Sequence, residues 1–566
     1  MKKIFRFKTI SIVAGLVLGA ALLVSAGQDD FRLGRDMEVL FNLFRDINLL
    51  YVDPVDADKL LEDAAVGMTD NLDPYTEYMP EEQMADFEVL TTGKYGGIGS
   101  LIRKKGDWVV ISQPYKGFPA DKAGLKIGDK ILDINGEDVK NLTPTEVSGK
   151  LRGDPGSTVK LKVEKFATGE TATLSIKRER IAISGVPYYG MASDGIGYIR
   201  HDDFSEDCAN DMRKALEAMR REGKLQGLIV DLRGNGGGIL QEAVKIISMF
   251  VPKGTEAVSM RGRVKELDAV FRTENEPVDQ QLPIVVLCNG GSASASEIVS
   301  GALQDLDRAV LMGQRTFGKG LVQSTRPLGH NNYLKITTAK YYIPSGRCIQ
   351  AIDYTHRRAD GSVGVVPDSL IKEFTTRAGR KVYDGGGVTP DVATQPKYAS
   401  RFVMTVYGMG YIEDFVDAYF KAHPDLDVPV RTYSFTADAY KEFETFMRGK
   451  VFSFESETQS ALKELKASAS REKYDQRLGE LITSLEAALP DDISENLDLY
   501  RDDLSRLIED EIVLRRHYYQ GVVEHSLTRN DEVTAAVALL RDKARYEGLL
   551  HPVAEVKPQE KATAEL

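Results

Sequence analysis

The sequence predicts a multidomain α/β protein, and three observations carry that expectation. Residues 179–395 alternate continuous apolar runs with helical segments, residues 91–178 break into short β-rich runs punctuated by glycine, and beyond about residue 396 the strand signals give way to apolar stripes at helical spacing. A chain of 566 residues is too long for one core, and at about 150 residues per domain it holds three to four. Its 42% apolar and 28% charged residues exclude a multi-span membrane protein, a collagen and a wholly disordered chain.

The amino terminus reads as an address. Lys2, Lys3, Arg6 and Lys8 form a basic stretch, Thr9–Gly27 is uncharged and rich in Ile, Val, Leu and Ala, and Val24-Ser25-Ala26 supplies small residues at which a signal peptidase cuts. Residues 1–26 are expected to be a signal peptide or an uncleaved membrane anchor; either places the remainder outside the cytoplasm, in a periplasm or cell envelope. Their loss removes four positive charges and no negative ones, moving the net charge from −12 to −16.

Residues 27–90 read as an N-terminal helical segment, with Leu40, Leu43, Ile47 and Leu50 at helical spacing and breaks at Tyr51-Val-Asp-Pro54 and Leu72-Asp-Pro74. In 91–178, Val109–Ile111 and Val159–Val163 read as strands, Pro119–Ala123 as a short helix, and Asn135-Gly136 as a hairpin turn after Ile131–Ile134. In 179–395, the unbroken apolar runs Leu228–Leu232, Ile284–Leu287 and Ala309–Met312 read as strands buried on both faces. The first leads through a glycine-rich turn into the helix Ile239–Phe250, and the second through a small-residue turn into a helix containing Ile298 and Leu303. Residues 396–566 read as a helical domain, with stripes at Leu478, Leu481, Ile482, Leu485 and Leu489 and at Leu497, Tyr500, Leu504, Leu507 and Ile508, closing in a loose tail after Pro552.

Charge and composition remove several functional classes. A net charge of −12 argues against a nucleic-acid partner, and three cysteines with seven scattered histidines offer neither a disulfide framework nor a metal-ligand spacing, so no metal or other cofactor is expected. Gly313–Lys319 satisfies G-x-x-x-x-G-K, yet residue 320 is Gly where a P-loop needs Ser or Thr. Arg233–Gly238 follows a strand and opens a helix as a dinucleotide loop would, but the third fingerprint glycine falls on Ile239.

Two segments carry chemistry. In Asn289–Glu297, three serines alternate with small residues between a buried strand and a helix, where backbone N–H groups at the helix start point outward and are able to form an oxyanion hole. The same residues also fit plain helix capping, with Ser292 or Ser294 as cap and Glu297 as its partner. In Thr316-Phe-Gly-Lys-Gly320, a lysine flanked by glycines next to Phe317 and Leu321-Val322 fits a desolvated, neutral general base, and a serine with a lysine base needs no histidine. A solvated surface lysine is the competing reading.

Taken together, Tyr51-Val-Asp-Pro54, Leu72-Asp-Pro-Tyr75, Tyr95-Gly-Gly-Ile-Gly99, Gly124–Asp129, Asp231-Leu-Arg-Gly-Asn235, Ser292–Glu297, Thr316–Gly320 and Tyr342-Ile-Pro-Ser-Gly346, in this order, resemble the carboxyl-terminal processing peptidases, or tail-specific proteases. The resemblance covers most of residues 45–395. It implies a PDZ domain (91–178) inserted ahead of a ClpP/crotonase-like serine protease core (179–395). It also implies Ser294 as nucleophile, Lys319 as base, Gln323 as the residue orienting the lysine, and the amides of Ala295 and Gly237 as oxyanion donors. Position 236 is Gly where relatives often carry Pro, which loosens that loop.

In the PDZ reading, Gly96, Gly97, Ile98 and Gly99 form a nest for a terminal carboxylate, with Ile98 and Leu101 lining a pocket for the last side chain. Arg152, placed at the domain's far end, is a candidate for coupling tail binding to catalysis. The expected partners are polypeptides bound by their C-termini, with a homodimer or adaptor contact through the helical segments left open. A catalytically silent envelope scaffold is the alternative; a crotonase-like acyl-CoA enzyme would lack both the PDZ domain and the export signal. Residues 396–566 carry no signature that assigns them a role.

Overall fold

The computed structural model describes residues 27–81, 83–84, 92–223, 225–358, 362–450, 454–490 and 493–552. Residues 1–26, expected to be a signal peptide or membrane anchor, and the end of the tail lie outside them. Among the described residues no helix is long and apolar enough to cross a membrane. The chain divides into two units, one of residues 1–83 with 323–337 and one of 84–322 with 338–566.

In the first unit, helices Gly27–Leu50 and Ala57–Thr69 flank the Pro54 break, and Asp56 caps the second by accepting from the N–H groups of Asp58 and Lys59. The stripe of Leu40, Leu43 and Leu50 lies on the first helix but is exposed. A strand, Glu77–Met79, pairs antiparallel with Tyr333–Lys335 inside the stretch read as helical. Three residues are too few to display a period.

The larger unit begins with the PDZ domain. Strands Ser100–Lys105, Trp108–Pro114, Lys130–Ile134, Thr158–Glu164 and Thr171–Lys177 form an antiparallel sheet with Ser100–Lys105 on its edge. Asn135 and Gly136 both take positive φ, 56° and 91°, as the predicted hairpin turn requires. The helix Pro144–Leu151 starts with a Thr143/Glu146 capping box and Pro at its first position.

The core of residues 179–395 is a six-stranded sheet in the order Tyr188–Ser193, Ile196–Arg200, Gly227–Asp231, Ile284–Cys288, Val310–Gly313, Val392–Ala393, parallel except for its first pair. Its central strands are apolar throughout because each face is covered. Leu228, Val230, Ile284 and Val286 pack toward helices Cys208–Glu222, Leu240–Ser248 and Ala295–Asp305, whereas Ile229, Val285 and Leu287 pack toward Val533, Ala536, Leu539 and Leu540. Those last residues belong to the helix Asp531–Arg541, near the end of the chain. The carboxyl-terminal region is thus no appendage: its final helices are the second layer of the core. Helices Tyr411–Ala422, Ala437–Arg448 and Arg501–Ser526 close around their own aromatic core of Phe402, Phe415, Tyr440 and Phe443, while Glu457–Arg471 and Asp475–Ala487 pack on each other through Leu462, Ala469 and Ile482.

Candidate active site

Ser294 stands where the strand Ile284–Cys288 turns into the helix Ala295–Asp305, with φ 55° and ψ −114°. A non-glycine residue in that region costs about 1–3 kcal/mol and persists only when its surroundings impose it. The two flanking serines impose it. Ser292 Oγ donates to the Leu232 carbonyl (2.8 Å), and Ser296 Oγ donates to the Asn235 carbonyl (2.9 Å), which also accepts from the Ala293 N–H (2.9 Å). Both hydroxyls are spent stapling the turn to the glycine-rich loop. Ser294, 7% exposed, takes no part in that staple, and its side chain lies by Tyr341, whose phenol burial pushes up to a pKa of about 12. Ala295 follows at the first helical position, where a backbone N–H has no partner within its helix.

Glu297 joins this turn to the lysine loop. Its buried carboxylate accepts from the Ser294 N–H (2.9 Å), the Thr316 hydroxyl (2.5 Å), the Gly318 N–H (2.7 Å) and the Lys319 N–H (2.8 Å). Burial pushes its pKa up, and these four donors pull against that. The sequence offered Glu297 only as a capping partner; its reach across to residues 316–319 is tertiary and left no local trace.

The Lys319 loop is fitted as tightly. Gly318 has φ 87° and a Cβ there would lie 2.3 Å from that of Ala351, while Gly320 donates its N–H to Gln350 Oε1 (2.7 Å). The Tyr341 N–H donates to the Gly320 carbonyl (2.8 Å), so Tyr341 touches both segments. Phe317, read as apolar cover, turns outward at 51% exposure because its backbone N–H is drawn to the Ser292 carbonyl.

Gly237 lies against the Ser294 turn: at φ 103°, a Cβ would sit 2.8 Å from Ser294 Cβ and 2.9 Å from the Ala295 nitrogen. Its N–H, however, donates to Asn235 Oδ1 (2.8 Å), and Asn235 is itself anchored through Nδ2 to the His201 carbonyl (2.8 Å). Within the first unit, Gln323 donates through Nε2 to Thr337 Oγ1 (3.1 Å), which donates to Asp73 Oδ1 (3.1 Å); Asp73 belongs to the Leu-Asp-Pro-Tyr motif.

In the PDZ domain, glycine is required at three of the nest positions. A Cβ at Gly96 would lie 2.2 Å from the Gly153 carbonyl, at Gly97 2.8 Å from the Tyr95 ring, and at Gly99 2.6 Å from Phe118 Cβ. Ile98 is 2% exposed and packs in the domain core, whereas Leu101, 48% exposed, lies on the edge strand. Arg152 is not at the far end of the domain. It ends the helix Pro144–Leu151 with its guanidinium 5.5 Å from the Tyr95 ring centre, because the Gly153 N–H pairs with the Gly96 carbonyl and folds the segment onto the nest.

A serine turn stapled to a glycine-rich loop, a lysine loop tied to it through one carboxylate, and a PDZ domain with an open edge strand define a PDZ-bearing serine-type peptidase. Comparison with known proteins agrees. Peptidase family S41 matches residues 195–371, a PDZ domain residues 110–165, and the C-terminal helical domain of a probable PDZ-protease residues 402–540. The chain is 35% identical over 373 residues to a carboxy-terminal-processing protease of Bartonella bacilliformis, covering 65% of this chain and 83% of that one. It is 34% identical over 378 residues to a probable CtpA-like serine protease of Staphylococcus aureus, covering 65% and 73%. A solved photosystem II D1 C-terminal processing protease aligns at 27% identity over 66% of this chain and 88% of that one, with a TM-score of 0.35. The chain belongs to peptidase family S41, the carboxy-terminal-processing proteases.

Proposed function

We propose that this protein is an exported endopeptidase that selects polypeptides by their carboxyl ends and cleaves them through a Ser294/Lys319 dyad. Neutral Lys319 takes the Ser294 proton, Oγ attacks the scissile carbonyl, and the tetrahedral oxyanion is held by backbone N–H groups. Collapse breaks the C–N bond, Lys319 returns the proton to the leaving amine, and water, deprotonated by Lys319, releases the acyl group from Ser294. The observation that carries this reading is the Glu297 carboxylate, which receives the backbone N–H groups of both Ser294 and Lys319 and so fixes their two loops in one register. Ala295 and Gly237 are the proposed oxyanion donors, the latter after its N–H leaves Asn235. Gln323, positioned by Thr337, is proposed to orient the lysine.

The peptide carboxylate is proposed to dock on Gly96–Gly99, with the tail adding as a strand along Ser100–Lys105 and its last side chain against Leu101. A PDZ domain of a Vibrio cholerae carboxy-terminal protease solved in complex with a peptide, 28% identical over 16% of this chain and 99% of that one with a TM-score of 0.15, is a relative of this module. Any homodimer or adaptor contact would draw on the exposed Phe31, Met37 and Phe41 of the first helix, and sedimentation over a concentration series reads it.

The test incubates wild type, Ser294→Ala and Lys319→Ala with an unfolded protein bearing an apolar carboxyl tail, and then with the same protein bearing a charged tail. Cleavage and a covalent acyl adduct on wild type, lost in both variants and weakened by the charged tail, is the expected result. No Ser294-dependent cleavage leaves a silent scaffold, and cleavage indifferent to the tail removes the PDZ role.

A further inference from the structure

The glycine-rich loop beside Ser294 cannot set its own shape. Four of the five residues Gly234–Gly238 are glycine, whose backbone is the least restricted of any residue, so its conformation is imposed by its hydrogen bonds: those of Asn235 in its middle and those at its two ends. One end is fixed within the core: the Phe204 N–H pairs with the Gly237 carbonyl and the Ile239 N–H with the Phe204 carbonyl. The other end is Arg233. Its Nε donates to Asp231 Oδ1 (2.9 Å), its Nη2 to Asp231 Oδ2, and its own backbone N–H to Asp231 Oδ1 (3.0 Å). Arg200 Nη2 donates to the Arg233 carbonyl (2.8 Å), and Tyr198 donates to Asp231 Oδ2 (2.6 Å). The guanidinium has one edge left, and it points away from the protease strands toward the carboxyl-terminal helices. There Arg233 Nη1 meets Glu532 Oε2 at 2.5 Å and Asn530 Oδ1 at 3.1 Å.

Glu532 is built for this. It stands in the first turn of the helix Asp531–Arg541, capped by Asn530 and packed through Val533, Ala536, Leu539 and Leu540 onto the catalytic sheet. Its second oxygen accepts from Thr394, and the pair is shielded, with 15% of the Arg233 side chain and 18% of the Glu532 side chain exposed. A shielded, charge-assisted contact on a planar guanidinium fixes orientation as well as position. We infer that Glu532, supplied by the carboxyl-terminal helical domain, is a positioning residue for catalysis: it locks Arg233 against Asp231 and thereby holds the loop that places Gly237 beside Ser294. The inference rests on the proposed Ser294 chemistry.

The experiment measures kcat and KM on the unfolded, apolar-tailed substrate for Glu532→Gln, Glu532→Ala, Arg233→Ala and the Glu532→Ala/Arg233→Ala double variant, with thermal unfolding of each. Glu532→Ala should lower kcat about 10- to 100-fold with KM within about twofold, since a misplaced catalytic loop costs rate rather than tail binding. Glu532→Gln, which preserves shape, should unfold like wild type and recover most of that rate. The double variant should be no slower than Arg233→Ala alone, because a residue acting through another adds nothing once that other is gone. Lys397→Ala, which removes the exposed pairing with neighbouring Asp531, should leave kcat unchanged. Additive losses, a loss in Lys397→Ala equal to that in Glu532→Ala, or wild-type kcat in Glu532→Ala would each overturn the inference. Turnover that survives Ser294→Ala would instead overturn the dyad, and this inference with it.

Discussion

Two glycine-rich turns in this protein are proposed to offer backbone N–H groups to a peptide, and they are held in different ways. The PDZ turn Gly96–Gly99 is held by backbone and by contact: its carbonyls at Gly96, Ile98 and Gly99 accept from the N–H groups of Gly153, Ala120 and Tyr115, Lys94–Gly97 pairs with Glu179–Ala182, and the Gly153 carbonyl, the Tyr95 ring and Phe118 leave no room for a Cβ at Gly96, Gly97 or Gly99. The loop Gly234–Gly238 is open at Gly234 and Gly236, and it is held by polar side chains: its own Asn235, Asn289 and Ser296 from the serine turn, and the Arg233 clamp at its start. A turn held by backbone pairing and close packing keeps one shape. A turn whose N–H group is taken by a side chain is able to exchange that partner, as the Gly237 N–H would in moving from Asn235 to an oxyanion.

The largest expected effect comes from placing a methyl in each turn. Gly237→Ala puts a Cβ 2.8 Å from the Ala293 oxygen and from Ser294 Cβ at φ 103°, so the nucleophile turn or the loop must shift. The loss should appear in kcat, about 100- to 1000-fold, the cost of one oxyanion donor. Gly99→Ala, at φ 73° and 2.6 Å from Phe118 Cβ, should instead raise KM for tailed substrates at least tenfold and leave kcat near wild type. Steady-state kinetics on one tailed substrate checks both. A kcat loss in Gly99→Ala as deep as that in Gly237→Ala would mean the two turns are coupled rather than parallel.

What the sequence showed of these turns follows from the range of the interactions. The serine turn, the lysine loop and both glycine runs stood out as segments, but small residues at a strand–helix junction equally fit capping and a lysine between glycines equally fits a solvated one, so Ser294 and Lys319 were singled out only by the ordered set of motifs. The roles of Ser292 and Ser296 were not legible, since three alternating serines look alike until the carbonyls of Leu232 and Asn235 are in place. Glu532 was invisible for the same reason: it is 299 residues from Arg233. The sheet itself was readable as unbroken apolar strands, but which helices covered its second face was not, because Val533, Ala536, Leu539 and Leu540 follow the same spacing as any amphipathic helix.

Acid should separate the two regions next. His201, whose carbonyl anchors Asn235, is fully buried among Phe204, Cys208 and Arg200, and burial with the Arg200 charge lowers its pKa to about 3. In the unfolded chain it titrates near 6.5, so below that pH the unfolded state takes up a proton that the folded state refuses. This contribution to stability is complete above about pH 6.5 and falls by up to about 1.4 kcal/mol per pH unit toward pH 3. No histidine lies in the PDZ residues 91–178. Denaturant unfolding between pH 7 and 4.5 should show this slope in the protease core, and His201→Leu should flatten it. An unchanged slope in that variant would shift the acid sensitivity to other groups.

The smallest expected effect probes the nest itself. The Arg152 guanidinium faces the Tyr95 ring at 5.5 Å, and the next residue, Gly153, pairs with Gly96, so the arginine braces the turn proposed to receive the carboxylate. A partly exposed cation–π contact is worth about 0.5–1 kcal/mol, which predicts a two- to fivefold weaker tail in Arg152→Ala. Fluorescence polarisation with a labelled apolar-tailed peptide reads that affinity, and kcat on a tail-free substrate reads the active site separately. If packing holds the PDZ turn, the peptide should weaken and the tail-free kcat should stay put. A fall in tail-free kcat would show Arg152 acting beyond its own domain, and the PDZ turn would then be part of the catalytic apparatus rather than an independent clamp.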